Sequence, residues 1–196
     1  ARIADAEMAK IFGDSVPLLI GIQRRYSTII DYKFLEKMQE LDKQLLALPL
    51  VKSVVSLTTT THIEAAGDSI VSGKLVPEHL TGSPGELNTI TERLRSLDTY
   101  NRSLVSDDLK ATQTIIFLNV KQEESGSPET IAVCRKVMSI AEEWDFPDSV
   151  AYVTGAPVFS EIVNEATSHD LMFLVPIVVI VVAGVLFFSF RRFTGV

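Results

Sequence analysis

The chain has 196 residues, 46% of them apolar, with 18 Lys and Arg against 25 Asp and Glu for a net charge of −7. That length suits one or two domains with a real core. The acidic balance repels phosphate backbones and excludes a nucleic-acid partner. The one cysteine, Cys134, excludes an intrachain disulfide, which fits a bacterial envelope protein better than a secreted eukaryotic one.

Residues 2–12 read as a short polar, amphipathic helix. Residues 16–22 (VPLLIGI) form a compact apolar run, a strand with Pro17 near its start. Asp31 and Tyr32 lead into a helix whose apolar positions Phe34, Met38, Leu41, Leu45 and Leu48 step by four and three, ending at Pro49. Residues 51–57 (VKSVVSL) are a β-branched strand. A threonine run at 58–61 follows. Gly67-Asp68 and Ser72-Gly73 then read as turns of a small β excursion. Ser83, Pro84 and Glu86 cap the start of a helix reaching about residue 97. Ser106, Asp107 and Asp108 make a turn before a strand at 112–120. A polar loop (KQEESGSP) precedes a helix with Val133, Val137, Ile140 and Trp144 along one face, closed by Pro147. A last strand spans 150–154, and Gly155, Ala156 and Pro157 turn the chain into a helix that runs on to the C-terminus.

This order is strand, helix, strand, insertion, strand, helix, strand. It predicts an α+β class: a ferredoxin-like split βαβ domain over residues 15–156, with an insertion at about 58–111 between the second and third main strands. A connecting helix (157–170) then leads into residues 171–190, LMFLVPIVVIVVAGVLFFSF, which carry no charge. Twenty residues at about 1.5 Å each span about 30 Å, the thickness of a bilayer core. Pro176 and Gly184 inside the run are tolerated in membrane helices. Arg191 and Arg192 follow, so the positive-inside rule puts 191–196 in the cytoplasm and residues 1–170 outside. Without the two arginines the outer part carries sixteen basic and twenty-five acidic residues, a charge of −9.

Catalytic and metal constellations are missing from the pattern. His62, His79 and His169 lie far apart and lack ligand spacing. No nucleophile elbow or P-loop occurs, so neither an enzyme nor a cofactor is expected. Asp107 and Asp108 read as a turn and Cys134 as an inert core residue. Glu123 and Glu124 read as a solvated loop. The apolar run contains no ionisable residue that could carry a proton relay.

Several short motifs nevertheless carry a resemblance. Residues 155–158 (GAPV), Asp170, Pro176 and the exit LFFSFRR (186–192) resemble the second transmembrane helix of the resistance-nodulation-division (RND) superfamily. FGDSV (12–16) resembles the approach to the first porter strand of that superfamily, LLALPLVKSVVSL (45–57) its helix-to-strand step, and VSDDLKAT (105–112) the approach to its third strand. The branch most resembled is that of hydrophobe and amphiphile exporters related to the mycobacterial large membrane proteins and hopanoid transporters.

The resemblance implies a porter domain in the bacterial inner membrane. A first transmembrane helix is expected upstream of residue 1, and the proton relay on later helices of the same transporter. It implies a lipid or other hydrophobic or amphiphilic molecule as partner and leaves room for a homo-oligomer. Asp170, Leu171, Met172 and Phe173 would then sit where substrate is admitted, although plain lipid-facing packing explains each of them as well. Two other assignments stand beside this one. One is a SecD/SecF-like protein assisting polypeptide translocation, and the other a single-pass sensor with an outer ligand-binding domain.

Overall fold

The computed structural model describes residues 15–66, 69–96, 103–121 and 124–191. The expected helix at 2–12 and the Gly67-Asp68 turn lie outside them, as does Arg192. Two units are distinct, one ending at Val158 and one beginning at Phe159.

The first unit is mixed α and β. Strand β1 (Val16–Arg24) is followed by α1 (Tyr32–Leu46) and β2 (Val51–Val55). A hairpin, β3 (Thr61–Ala66) with β4 (Ser69–Lys74), and helix α2 (Pro84–Ser96) come next. Strand β5 (Ala111–Leu118), helix α3 (Pro128–Glu142) and β6 (Ser149–Gly155) complete it. The four main strands form one antiparallel sheet in the order β2-β5-β1-β6, while β3 and β4 pair apart from it.

Alternation along the strands decides which face is covered. On β1, Val16, Leu18, Ile20 and Ile22 are buried, and on β5 Thr112, Thr114, Ile116 and Leu118. The register sets Ile20 against Thr114 and Leu18 against Ile116, so these residues share one face. Helix α1 adds Phe34, Leu35, Met38, Leu41 and Leu45 to the same core, and α3 adds Val133, Cys134, Val137 and Ala141. Burying one such side chain stabilises the fold by about 1.5–3 kcal/mol. The interior position of Cys134 agrees with an inert thiol.

Helix starts follow the expected caps. The Asp31 carboxylate accepts from the Phe34 N–H at 3.0 Å, and Ser127 Oγ from the Thr130 N–H at 3.3 Å. At α2 the Glu86 N–H donates to Ser83 Oγ, while the Glu86 carboxylate reaches back to the N–H groups of Thr81 and Gly82, both at 2.9 Å.

Helix ends depart from the expectation. Helix α1 stops at Leu46, and α3 stops at Glu142, five residues before Pro147. Trp144 and Phe146 therefore lie past the end of α3. There they meet Phe34 edge-on, with ring centroids 5.8 and 5.3 Å away. The stop thus comes before the proline and coincides with this aromatic packing. Ser72-Gly73 is also not a turn: both residues lie within β4, facing Ile63 and His62 across the hairpin.

Two of the motif stretches have local physical reasons. In 105–112 the Ser106 hydroxyl donates to the Asp108 carboxylate at 2.6 Å and accepts from the Ala111 N–H at 2.9 Å. A tight corner results, with Leu109 in left-handed backbone (φ 54°). Gly155 has φ 146°, and a Cβ there would lie 3.0 Å from the Pro17 carbonyl and 3.0 Å from a Leu18 methyl. Glycine alone fits that backbone and that gap. Gly155→Ala is therefore expected to cost about 1–3 kcal/mol, read as a lowered urea midpoint. Gly21→Ala is the control: beyond its chain neighbours no atom lies within 4 Å of its Cβ position, so the midpoint should not fall and should rise slightly as the unfolded chain loses freedom.

Candidate functional site: the exposed apolar helix

Helix α4 (Ala156–Arg191) begins directly after β6 and continues without a break for 36 residues. The expected connecting helix and membrane run are thus one element, about 54 Å long at 1.5 Å per residue. Its first turn belongs to the α+β unit, where Val158 is buried in the core. Pro176 lies within the helix.

Residues Asp170–Phe187 form an 18-residue stretch apolar enough to cross a membrane, and none of it is buried. Met172, for example, is 76% exposed, and Leu171 and Phe173 are more than half exposed. An exposed apolar run of this length has no stable place in water. A hydrocarbon solvent of matching thickness removes the penalty, because a helix meets all its internal backbone hydrogen bonds itself. Asp170 stands exposed at the polar end of the stretch. Helix geometry thus puts Asp170, Leu171, Met172 and Phe173 on one turn at the boundary of the apolar segment. Arg191 is the last residue of α4, at the opposite end.

This layout can do limited chemistry. The apolar surface offers dispersion and hydrophobic contact but no proton donor or acceptor between residues 171 and 190 apart from the Ser189 hydroxyl. No group of three or more His, Cys, Asp or Glu among the described residues could hold a metal ion.

The decisive comparison is with protein families. The model of the MMPL family matches residues 32–194, which covers most of both units. The chain belongs to the MMPL family. It is thereby a member of the RND superfamily, and the MMPL family is one of membrane transporters of hydrophobic substrates whose members are larger transporter proteins. No curated protein sequence matches it. In this MMPL chain the motif at 45–57 is accounted for by packing: Leu45, Val54 and Leu57 are core residues, and Ser56 is fully buried.

One cluster in the α+β unit escaped the sequence reading. Asp42 on α1 is only 3% exposed. Its Oδ2 accepts from the Ser56 hydroxyl at 2.5 Å and from the Thr58 hydroxyl. Its Oδ1 is sealed from solvent and has no hydrogen-bond partner. Burial lifts this carboxyl above its ordinary value of 3.8, and the Ser56 and Thr58 hydroxyls, which favour the anion, offset only part of that. A signal was present: Met38, Asp42 and Leu45 step by four and three along the buried stripe of α1. A carboxylate at a stripe position is the informative exception to an apolar pattern.

Proposed function

We propose that this MMPL chain belongs to a proton-driven exporter of lipidic or amphiphilic molecules in the bacterial inner membrane. In this reading residues 1–170 lie outside the membrane as a ferredoxin-like porter domain, and α4 crosses to the cytoplasm at Arg191 and Arg192. The chain moves its cargo and does not transform it chemically. Proton coupling resides in other helices of the transporter, since ionisable groups within a bilayer are the usual carriers and the run here has none.

The observation that carries the proposal is the continuity of α4. One helix joins the core of the α+β unit, at Val158, to an exposed apolar run. An amphiphile leaving the outer leaflet needs an apolar surface for its tail and a nearby polar one for its head. Leu171, Met172 and Phe173 would supply the first, with Asp170 marking the change to the second.

Photo-crosslinking in the full-length transporter tests this. With a benzophenone amino acid replacing Met172, the captured lipid should be enriched in one amphiphile relative to the bulk membrane. With the same group at Ile180, at mid-run, it should match the bulk. Bulk composition at both positions would leave Met172 as ordinary lipid-facing packing.

A further inference from the structure

The Asp42 cluster joins two parts of the α+β unit that are far apart in sequence. Its acceptors and donors sit on α1 and on residues 56–60, the corner that leads from β2 into the β3–β4 hairpin. That corner is tightly bonded. The Ser56 hydroxyl accepts from the Thr58 and Thr59 N–H groups at 3.1 and 3.2 Å while donating to Asp42. The Thr60 N–H donates to the Ser56 carbonyl, and the Leu75 N–H, just beyond the hairpin, donates to the Thr60 carbonyl. Leu57 and Leu75 are fully buried beside it. Asp42 is therefore a polar tie between α1 and the base of the hairpin, beside a second one in which the Gln39 amide of α1 donates to the Pro77 carbonyl at 2.8 Å.

The tie is satisfied on one oxygen only. An ionised carboxylate would place part of its charge on Oδ1, which is closed off from solvent and faces no protein donor. A neutral carboxylic acid tolerates that position better, and its proton can be donated to a Ser56 or Thr58 oxygen. The charged groups around the cleft beside Asp42 are Lys43 on α1, Lys74 at the end of β4, and Glu78 and His79 just after it. Lys74 is committed to Glu78 at 2.7 Å, and Lys43 and His79 lie exposed in solvent, which screens their charge.

We propose that Asp42 is a protonation-sensitive pin: as the neutral acid it holds the 56–60 corner and the base of the hairpin against α1, and on ionising it lets that corner open. The device would let the pH of the surrounding compartment set how firmly the hairpin is docked. It stands on the α+β unit alone and does not depend on the transport proposal.

Linkage fixes the sign. The docked form holds its proton to a higher pH than the open form. Docking is therefore firmest below about the ordinary value of 3.8 and weakens as pH rises toward the raised docked value. Within that window the opening equilibrium should grow by up to about tenfold per pH unit, the limit for one proton, and level off above it.

The test is amide hydrogen exchange on the full chain in detergent micelles, with rates corrected for intrinsic pH dependence. Protection at Thr58, Thr60 and Leu75 should fall with rising pH in the wild type, and that dependence should vanish in Asp42→Asn. Thr58→Val, which removes one donor to the anion but keeps the acid, should move the midpoint to higher pH, and it serves if the asparagine variant fails to fold. Wild-type protection that is flat with pH would overturn the pin, as would a pH dependence that survives in Asp42→Asn or a midpoint unmoved in Thr58→Val.

Discussion

In the 196-residue chain expressed by itself, two lysines one turn apart in the middle of α4, Val178→Lys with Val182→Lys, should release it from membranes into an alkaline-extractable fraction. The magnitudes make the pair necessary. Residues 171–190 contain fifteen Leu, Ile, Val and Phe residues. At about −0.4 kcal/mol each, fifteen such residues favour insertion by about 6 kcal/mol, whereas one central lysine costs about 3 kcal/mol. A single Val179→Lys should therefore leave the chain membrane-bound, with the lysine stem reaching toward an interface. Two lysines cost about 6 kcal/mol and cancel the driving force. Alkaline carbonate extraction reads the outcome directly. Full retention of the double variant would mean that contacts other than the apolar run hold the chain in the membrane.

In the α+β unit the largest effect should come from Phe34→Ala. Phe34 is fully buried and lies at the meeting point of three elements. Its ring takes Trp144 and Phe146 edge-on, and the Arg24 guanidinium lies 5.5 Å from its centroid. Arg24 is also within 5.1 Å of the Phe146 ring and donates to the Thr28 carbonyl at 2.6 Å. Removing the ring leaves a cavity and strips the cation of an aromatic face. The expected loss is about 3–5 kcal/mol, against a total stability of about 5–15 kcal/mol for a domain. Trp144 is the single tryptophan and touches the site, so its fluorescence during urea unfolding reports the change. A loss below about 1 kcal/mol would show that the aromatic cluster collapses freely into the space.

The parts of this molecule that follow periodic rules were legible in the sequence. Fifteen branched or aromatic apolar residues in twenty, with no charge, admit few readings other than a membrane span. Phe34, Met38, Leu41 and Leu45 announced their helix face, and the α+β class followed from the order of elements. Several features were hidden because tertiary packing sets them. Past the early stop of α3, Trp144 and Phe146 pack on Phe34, more than a hundred residues upstream, a contact that local periodicity does not reveal. The run Ser72-Gly73 looks like a turn locally, yet cross-strand pairing with Ile63 and His62 keeps it extended. Asp42 was passed over because its partners, Ser56 and Thr58, lie in the strand and threonine run beyond the helix, and only the fold brings them to it. Transport specificity is less legible still. Apolar side chains at 171–173 would suit lipid solvent and lipid cargo alike.

The central claim is that α4 spans the membrane with the α+β unit outside, and site-specific thiol labelling tests it most directly. Cys134 is buried and should not react in the folded protein. A cysteine replacing exposed Glu143 should react with a membrane-impermeant maleimide in intact spheroplasts, whereas one replacing Thr194 should react only after permeabilisation. Labelling of Thr194→Cys in intact spheroplasts, with Glu143→Cys protected until permeabilisation, would contradict the orientation and with it the role assigned to the outer domain.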